Sequence, residues 1–190
     1  MSTEANSLPA DVVSCLTNAR YLHLGTCSDN WPHVSLMNYL YIRAGQGTEH
    51  TSKPDEDCVI MTCSRKTKKF FHLSMNPKVS VLVHDWSTRQ QVTNSSDLTQ
   101  LLSSLNAASL SKYSITLNGT AEVLEGEHSE YFKKRILDSS VGSEARCYMD
   151  GEDTAVIAVH FGSARISDKE NNVNKWKHQD SEMTPGQEHV

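Results

Sequence analysis

Short runs rich in β-branched residues recur along this chain without a helix between each successive pair, and that limits the fold more than any other feature. Tyr21, Leu22, Leu24 and Thr26 suit a strand, Ser28-Asp29-Asn30 reads as a turn, and Val34, Leu36, Tyr39, Tyr41 and Ile42 suit a second strand, which together make a β-hairpin. CVIMTC (Cys58 to Cys63), KVSVLVHDW (Lys78 to Trp86), YSITLNGTAEVLE (Tyr113 to Glu125) and TAVIAVHFGSARIS (Thr154 to Ser167) read as further strands. Helical spacing is sparser. Val12, Val13, Leu16 and Ala19 recur behind a Ser7 cap with Pro9 in the first turn, a short helix follows Thr67, and another covers Ser129 to Leu137. A parallel α/β sheet needs a helix after every strand. The order here fits an antiparallel barrel or sheet with peripheral helices, mainly β in class.

With 190 residues, 37% hydrophobic and 22% charged, the chain is long enough for one domain with a real core. We read residues 1–176 as that domain, with a Ser/Asn-rich insert at 87–112 and a polar, disordered tail at 177–190. Leu98, Leu101, Leu102 and Leu105 give the insert a short amphipathic helix behind Ser96. The Gly-rich, charged stretch 44–57 (AGQGTEHTSKPDED) is expected to be a mobile loop. A net charge of -5 argues against general nucleic-acid binding. No apolar stretch is long enough to span a membrane as a helix, and the N-terminus lacks the basic-then-apolar pattern of a secretory signal. The five cysteines are scattered without metal-ligand spacing, and read as reduced thiols of a cytoplasmic or nuclear protein.

Against this acidic background, Arg65, Lys66, Lys68 and Lys69 crowd the start of the helix behind Thr67. A helix N-terminus carries partial positive charge and disfavours cations. Either these side chains form a solvated surface cluster, or an anion binds between them, meeting backbone N–H groups, the Thr67 hydroxyl and the Lys68 and Lys69 ammonium groups. Tyr131, Arg135 and Ser139 are spaced four apart and share one helix face, which suits a second phosphate cradle or simply a polar surface. Arg165, Ser167 and Lys169 alternate along a strand-like segment. No GxSxG, HExxH, GxGxxG or P-loop motif is present, and His23, His33, His72, His84 and His160 read as isolated structural or surface histidines. An enzyme built this way would rely on a cofactor.

Three segments in order, TKK…NPKVSVL (Thr67 onward), YFKKRILDSS (Tyr131 onward) and RISDK (Arg165 to Lys169), make the chain resemble the pyridoxamine 5'-phosphate oxidase family of FMN-binding split-barrel proteins, from about Ala19 to Trp176. The resemblance implies a six-stranded antiparallel split barrel working as a homodimer, with FMN in clefts between subunits. It implies that Thr67, Lys68 and Lys69 hold the FMN phosphate, that Thr62 and Cys63 lie along the ribityl chain or flavin, that Gln91 sits near the flavin, and that Lys169 faces FMN. It assigns Tyr131, Arg135 and Ser139 to the substrate phosphate, and Arg165 and Ser167 to the substrate. The implied reaction passes hydride from pyridoxamine or pyridoxine 5'-phosphate to FMN, which O2 reoxidises with release of peroxide. Departures are concentrated in the residues that grip substrate and flavin. Ser35 and Leu40 stand where the family carries Arg and Lys, Ser167 replaces a His and Lys169 an Arg. A non-catalytic binder of FMN or pyridoxal phosphate, or a cofactor-free scaffold on the same barrel, is the alternative.

Overall fold

The structure, a computed structural model, describes residues 7–84, 113–139 and 153–179. The helix expected in the insert and Gln91 fall outside the described residues, as do positions 180–190 of the polar tail. The hairpin forms as expected, from β1 (Tyr21–Ser28) and β2 (Trp31–Asn38). Ser28 pairs with Trp31, leaving a two-residue turn in which Asp29 and Asn30 have φ of 50° and 60°. Two successive left-handed residues match the twist of the flanking strands, and Asp and Asn tolerate that conformation best after glycine. The remaining strands are β3 (Leu40–Ile42), β4 (Cys58–Ser64), β5 (Lys78–His84), β6 (Ser114–Leu124), β7 (Thr154–Ser167) and β8 (Val173–Lys177). The helices are α1 (Ala10–Asn18), α2 (Lys68–Met75) and α3 (Gly126–Asp138). Pro9, with no side-chain cap bond, occupies the N-cap position of α1 expected for Ser7.

All strand pairs are antiparallel, in the order β2-β1-β5-β6-β7-β4-β3, with β8 added beside β7. β2 and β3 are separated by Tyr39 alone, yet β2 pairs with β1 and β3 pairs with β4. One extended run therefore borders both ends of the path and curls the sheet into a barrel. Counted so, β2 and β3 are one strand, and the six expected barrel strands are present with β8 as an addition. Tyr39, buried at the junction, donates its hydroxyl to the Leu16 carbonyl at 2.7 Å and ties the seam to α1.

Period-two alternation sends Leu22, Leu24, Val59, Met61, Val81, Ile115, Leu117, Ile157 and Val159 into the barrel, where Val12, Cys15 and Leu16 of α1 join them. A second apolar cluster lies outside the barrel, where Phe132 and Ile136 of α3 cover Ile42, Cys58, Ile60, Leu124, Val156 and Ala158. β4 and the first half of β7 are thus buried on both faces. That is why CVIM and TAVIAVHF are continuous apolar runs rather than alternating ones.

Two expectations need correction. Stretch 44–57 is anchored: Thr48 is fully buried, its hydroxyl accepts the Gly45 N–H at 2.9 Å and donates to the Pro54 carbonyl, and Asp57 closes the neck by accepting from Ala44 N–H (2.9 Å) and the Tyr41 hydroxyl (2.5 Å). The boundary at residue 176 falls inside β8, and His178 beyond it is buried, its N–H bonded to the Gly162 carbonyl at 2.9 Å.

Candidate functional site

The basic helix start splits into two pairs. Arg65 reaches both oxygens of Glu125 at 2.8 and 2.9 Å, and Lys66 pairs with Asp153. Among the described residues, neither Lys68 nor Lys69 takes part in an ion pair. Thr67 is the N-cap residue of α2, but its hydroxyl donates backwards to the Ser64 carbonyl at 2.7 Å and makes no cap bond. The first-turn N–H groups therefore have no side-chain cap beside two ammonium groups. His72 and Leu73 form the buried face of α2, whereas Phe71 is exposed: at 3.6 residues per turn it lies off the line through Lys69, His72 and Leu73. His72 Nδ1 lies 3.3 Å from the Thr26 hydroxyl, and its ring meets that of His33 on β2 edge-on at 5.9 Å. His33 Nε2 is 3.1 Å from the hydroxyl of Ser35, the residue standing where the resemblance expects Arg. Burial first, then Lys68, His72 and Lys69, hold the His33 pKa below its ordinary value. Reading His33 and His72 as isolated missed this cluster, because β1, β2 and α2 come together only in the fold.

Thr62 and Cys63 point to opposite faces of β4. Thr62 lines a cleft on the outer face, between the β2–β3 junction and the end of α3, with Asn38, Leu40, Ile136 and Ser139. Cys63 faces the barrel core, and burial raises its thiol pKa against the opposing Thr67 hydroxyl, Lys69 and Arg65. Alternation thus gives the cleft the Thr62 side chain and turns that of Cys63 to the core.

Tyr131 and Arg135 lie on one face of α3, as their spacing predicts, with Arg135 Nη1 3.3 Å from the Tyr131 hydroxyl. That face is occupied by the chain itself. Arg135 donates to the Gln46 carbonyl, and the His50 ring stacks on Tyr131 with centroids 3.8 Å apart. Ser139, the C-cap residue, turns its hydroxyl to the Ile136 carbonyl at 2.6 Å.

Arg165 and Ser167 occupy the far end of β7. Thr62 pairs with Val156, so Arg165 lies about 30 Å further along the same strand at 3.3 Å per residue. Arg165 is exposed opposite Lys175 of β8, and Lys169 is exposed in the turn that Asp168 organises by accepting the N–H groups of Glu170 and Asn172. One chain thus brings Thr62 and Ser139 into one cleft, sets Thr67, Lys68 and Lys69 at the end of the same strand, and holds Arg165, Ser167 and Lys169 apart.

A polar cluster passed over in the sequence lies on the outer face of β7. His160, buried, sets Nε2 3.1 Å from Glu122 and Nδ1 3.9 Å from Glu56, and His178 Nε2 is 3.6 Å from the other Glu56 oxygen. Four elements supply these residues, so no local spacing could show it. Among the described residues, no group of three such side chains is arranged to hold a metal.

An antiparallel sheet curled into a barrel, with β4 running directly into a cationic helix start, defines the split-barrel class. Comparison bears this out. The barrel superposes on a heme-binding protein from Mycobacterium smegmatis (TM-score 0.58, 17% identity, 86% of this chain and 55% of that one). It also superposes on an FAD-binding protein from Mesorhizobium loti (TM-score 0.54, 17% identity, 83% and 92%). At that identity the likeness concerns the fold alone. The sequence goes further. A family profile of pyridoxamine 5'-phosphate oxidase matches residues 8–168. A pyridoxamine 5'-phosphate oxidase homologue of Schizosaccharomyces pombe is 38% identical over 177 residues, 90% of this chain and 92% of that protein. A homologue in Saccharomyces cerevisiae is 32% identical over 189 residues, 87% and 93%. The chain belongs to the pyridoxamine 5'-phosphate oxidase family. Among its described residues no helix is long and apolar enough to cross a membrane.

Proposed function

We propose that this chain is an FMN-dependent oxidoreductase of its family, acting as a homodimer on a small phosphorylated substrate of the pyridoxamine or pyridoxine 5'-phosphate class. The observation that carries it is the uncapped start of α2 with Lys68 and Lys69 outside every ion pair among the described residues. A phosphate there would accept charge-assisted hydrogen bonds worth roughly 1.5–3 kcal/mol each, against a repulsion of about 0.3–1 kcal/mol per exposed lysine. The donor set fits the phosphate end of FMN, with Thr62 bounding the adjoining cleft. Bound FMN would accept hydride from the substrate's aminomethyl or hydroxymethyl carbon and return the electrons to O2 as peroxide. The chain's own residues bind and orient, and positioning supplies the catalysis without a dedicated base.

Two copies are part of the proposal. Arg165, Ser167 and Lys169 are too far along β7 to reach the cleft of their own chain, so they would serve a partner's. The outer face of β2, with Val34 65% and Leu36 59% exposed, offers the apolar surface a second copy would cover.

The test is the visible absorbance of the purified protein after FMN is added and the excess removed. Flavin bands retained by the protein, and affinity at least tenfold weaker in Lys69→Ala (about 1.4 kcal/mol), are expected. A colourless protein would overturn the proposal. Ser35 and Leu40 at the positions of an expected Arg and Lys favour a second reading, a binder without turnover. Retained FMN with no peroxide from either phosphorylated vitamer would select it.

A further inference from the structure

The face of α3 that carries Tyr131 and Arg135 is filled by the tip of the 44–57 loop, and the filling has a built form. Arg135 Nη1 donates to the Gln46 carbonyl, so an oxygen already sits where an anion's oxygen would be held. His50 covers the Tyr131 ring at 3.8 Å and 21°, and its Nδ1 lies 3.3 Å from that of His128. Gly47, at φ +108°, fits only because it has no side chain: a Cβ there would come within 2.7 Å of the Tyr131 hydroxyl and closer still to Arg135 Nη1. Gln46 is exposed and stands between Gly45 (φ +75°) and Gly47, two residues with wide backbone freedom; Thr48 next to them is fully buried, and swinging the tip exchanges the bonds of Gly45 N–H to the Thr48 hydroxyl (2.9 Å) and of Gln46 N–H to the Arg43 carbonyl (3.0 Å) for water.

We infer that the Gln46 carbonyl is a resident stand-in for a ligand oxygen on Arg135, and that a phosphorylated ligand takes the arginine by swinging the Gly45–Gly47 peptides away while Thr48 holds the loop. This rests on the reading of Tyr131 and Arg135 as a phosphate cradle. The loop and the ligand then compete for one guanidinium, so apparent affinity is reduced by the fraction of molecules in which the tip is docked. Arg135 suits the exchange, since the Gln46 carbonyl takes one N–H of its planar fork through Nη1, whereas a phosphate offers two oxygens to the fork and a charge besides.

The experiment uses the full chain and pyridoxal 5'-phosphate as probe, with binding followed by isothermal calorimetry. Gly47→Ala, whose added methyl is incompatible with the docked tip, is expected to bind about tenfold more tightly than wild type. Adding Arg135→Ala to it should abolish the gain. In the unmodified protein, amides of residues 45–47 should exchange faster with deuterium when the probe is bound, while the Thr48 amide is unchanged; this readout does not depend on the variant folding. Binding that Arg135→Ala weakens, without tightening in Gly47→Ala and without faster exchange, would overturn the competition and leave the cradle standing. Binding indifferent to Arg135 would overturn the cradle and the competition together.

Discussion

His33 illustrates how much of the site depends on single side chains meeting across elements. Its ring lies between the Ser35 hydroxyl and the His72 ring, under the influence of two ammonium groups, and the neutral form is favoured. A histidine resonance titration should therefore give a value below 6.5, and adding FMN should raise it, because a bound phosphate reverses the local potential. An unchanged value with FMN retained would place the phosphate elsewhere. Cys63 carries the opposite message. Its buried thiol should resist alkylation near neutral pH in the folded protein and react on unfolding, as peptide mass spectrometry would show. That Lys68 and Lys69 stand at a helix start behind Thr67 was legible from residue type alone, since cations there contradict a local rule. That the Cys63 side chain faces the core while that of Thr62 faces the cleft follows from strand alternation, since adjacency in sequence is opposition in a strand.

At the scale of elements, the three α-helices among the described residues, none of which has a side-chain cap bond, were legible from apolar spacing, and most strands were legible from β-branched runs. β8 was not, because its residues, VNKWK, are mostly exposed and leave no periodic signal. The loop 44–57 was misjudged for a related reason: composition says Gly-rich and charged, while its order comes from one buried threonine and one carboxylate at its neck. α3 anchors the second apolar cluster through Phe132, fully buried, so Phe132→Ala should cost about 3–5 kcal/mol in denaturant unfolding. Between β6 and β7 the register shifts at Asn118/Gly119, and a Cβ at Gly119 would press on the His160 carbonyl and within 3.2 Å of Phe161 Cα. Both are backbone atoms that cannot give way, so Gly119→Ala should destabilise by about 1–3 kcal/mol in the same measurement.

For the whole molecule, the cluster of Glu56, Glu122, His160 and His178 joins the loop, the barrel wall and the chain beyond β8. Burial alone would raise the Glu122 carboxyl, but hydrogen bonds from Ser52 and His160 outweigh it and hold the group below its ordinary 4.5. Its contribution to stability is complete above about 4.5 and is lost as pH falls through the lowered folded value. The thermal midpoint should drop across that acid range, and Glu122→Gln should flatten the drop. What joins these parts lay beyond any sequence reading, since the partners are scattered from Glu56 to His178. β7 holds the same place in the sheet that this cluster holds among the side chains. It pairs with β6, β4 and β8, and among the described residues it is the strand that joins the β3–β4 pair to the rest of the sheet ladder. During synthesis, β4 is complete at Ser64 but waits for Thr154 to Ser167 before its second edge is filled. A nascent chain stalled before residue 154 would therefore carry an apolar strand, CVIMTCS, paired with the short β3 on one edge and open on the other, and the ribosome-bound intermediate would be exposed to misassembly there.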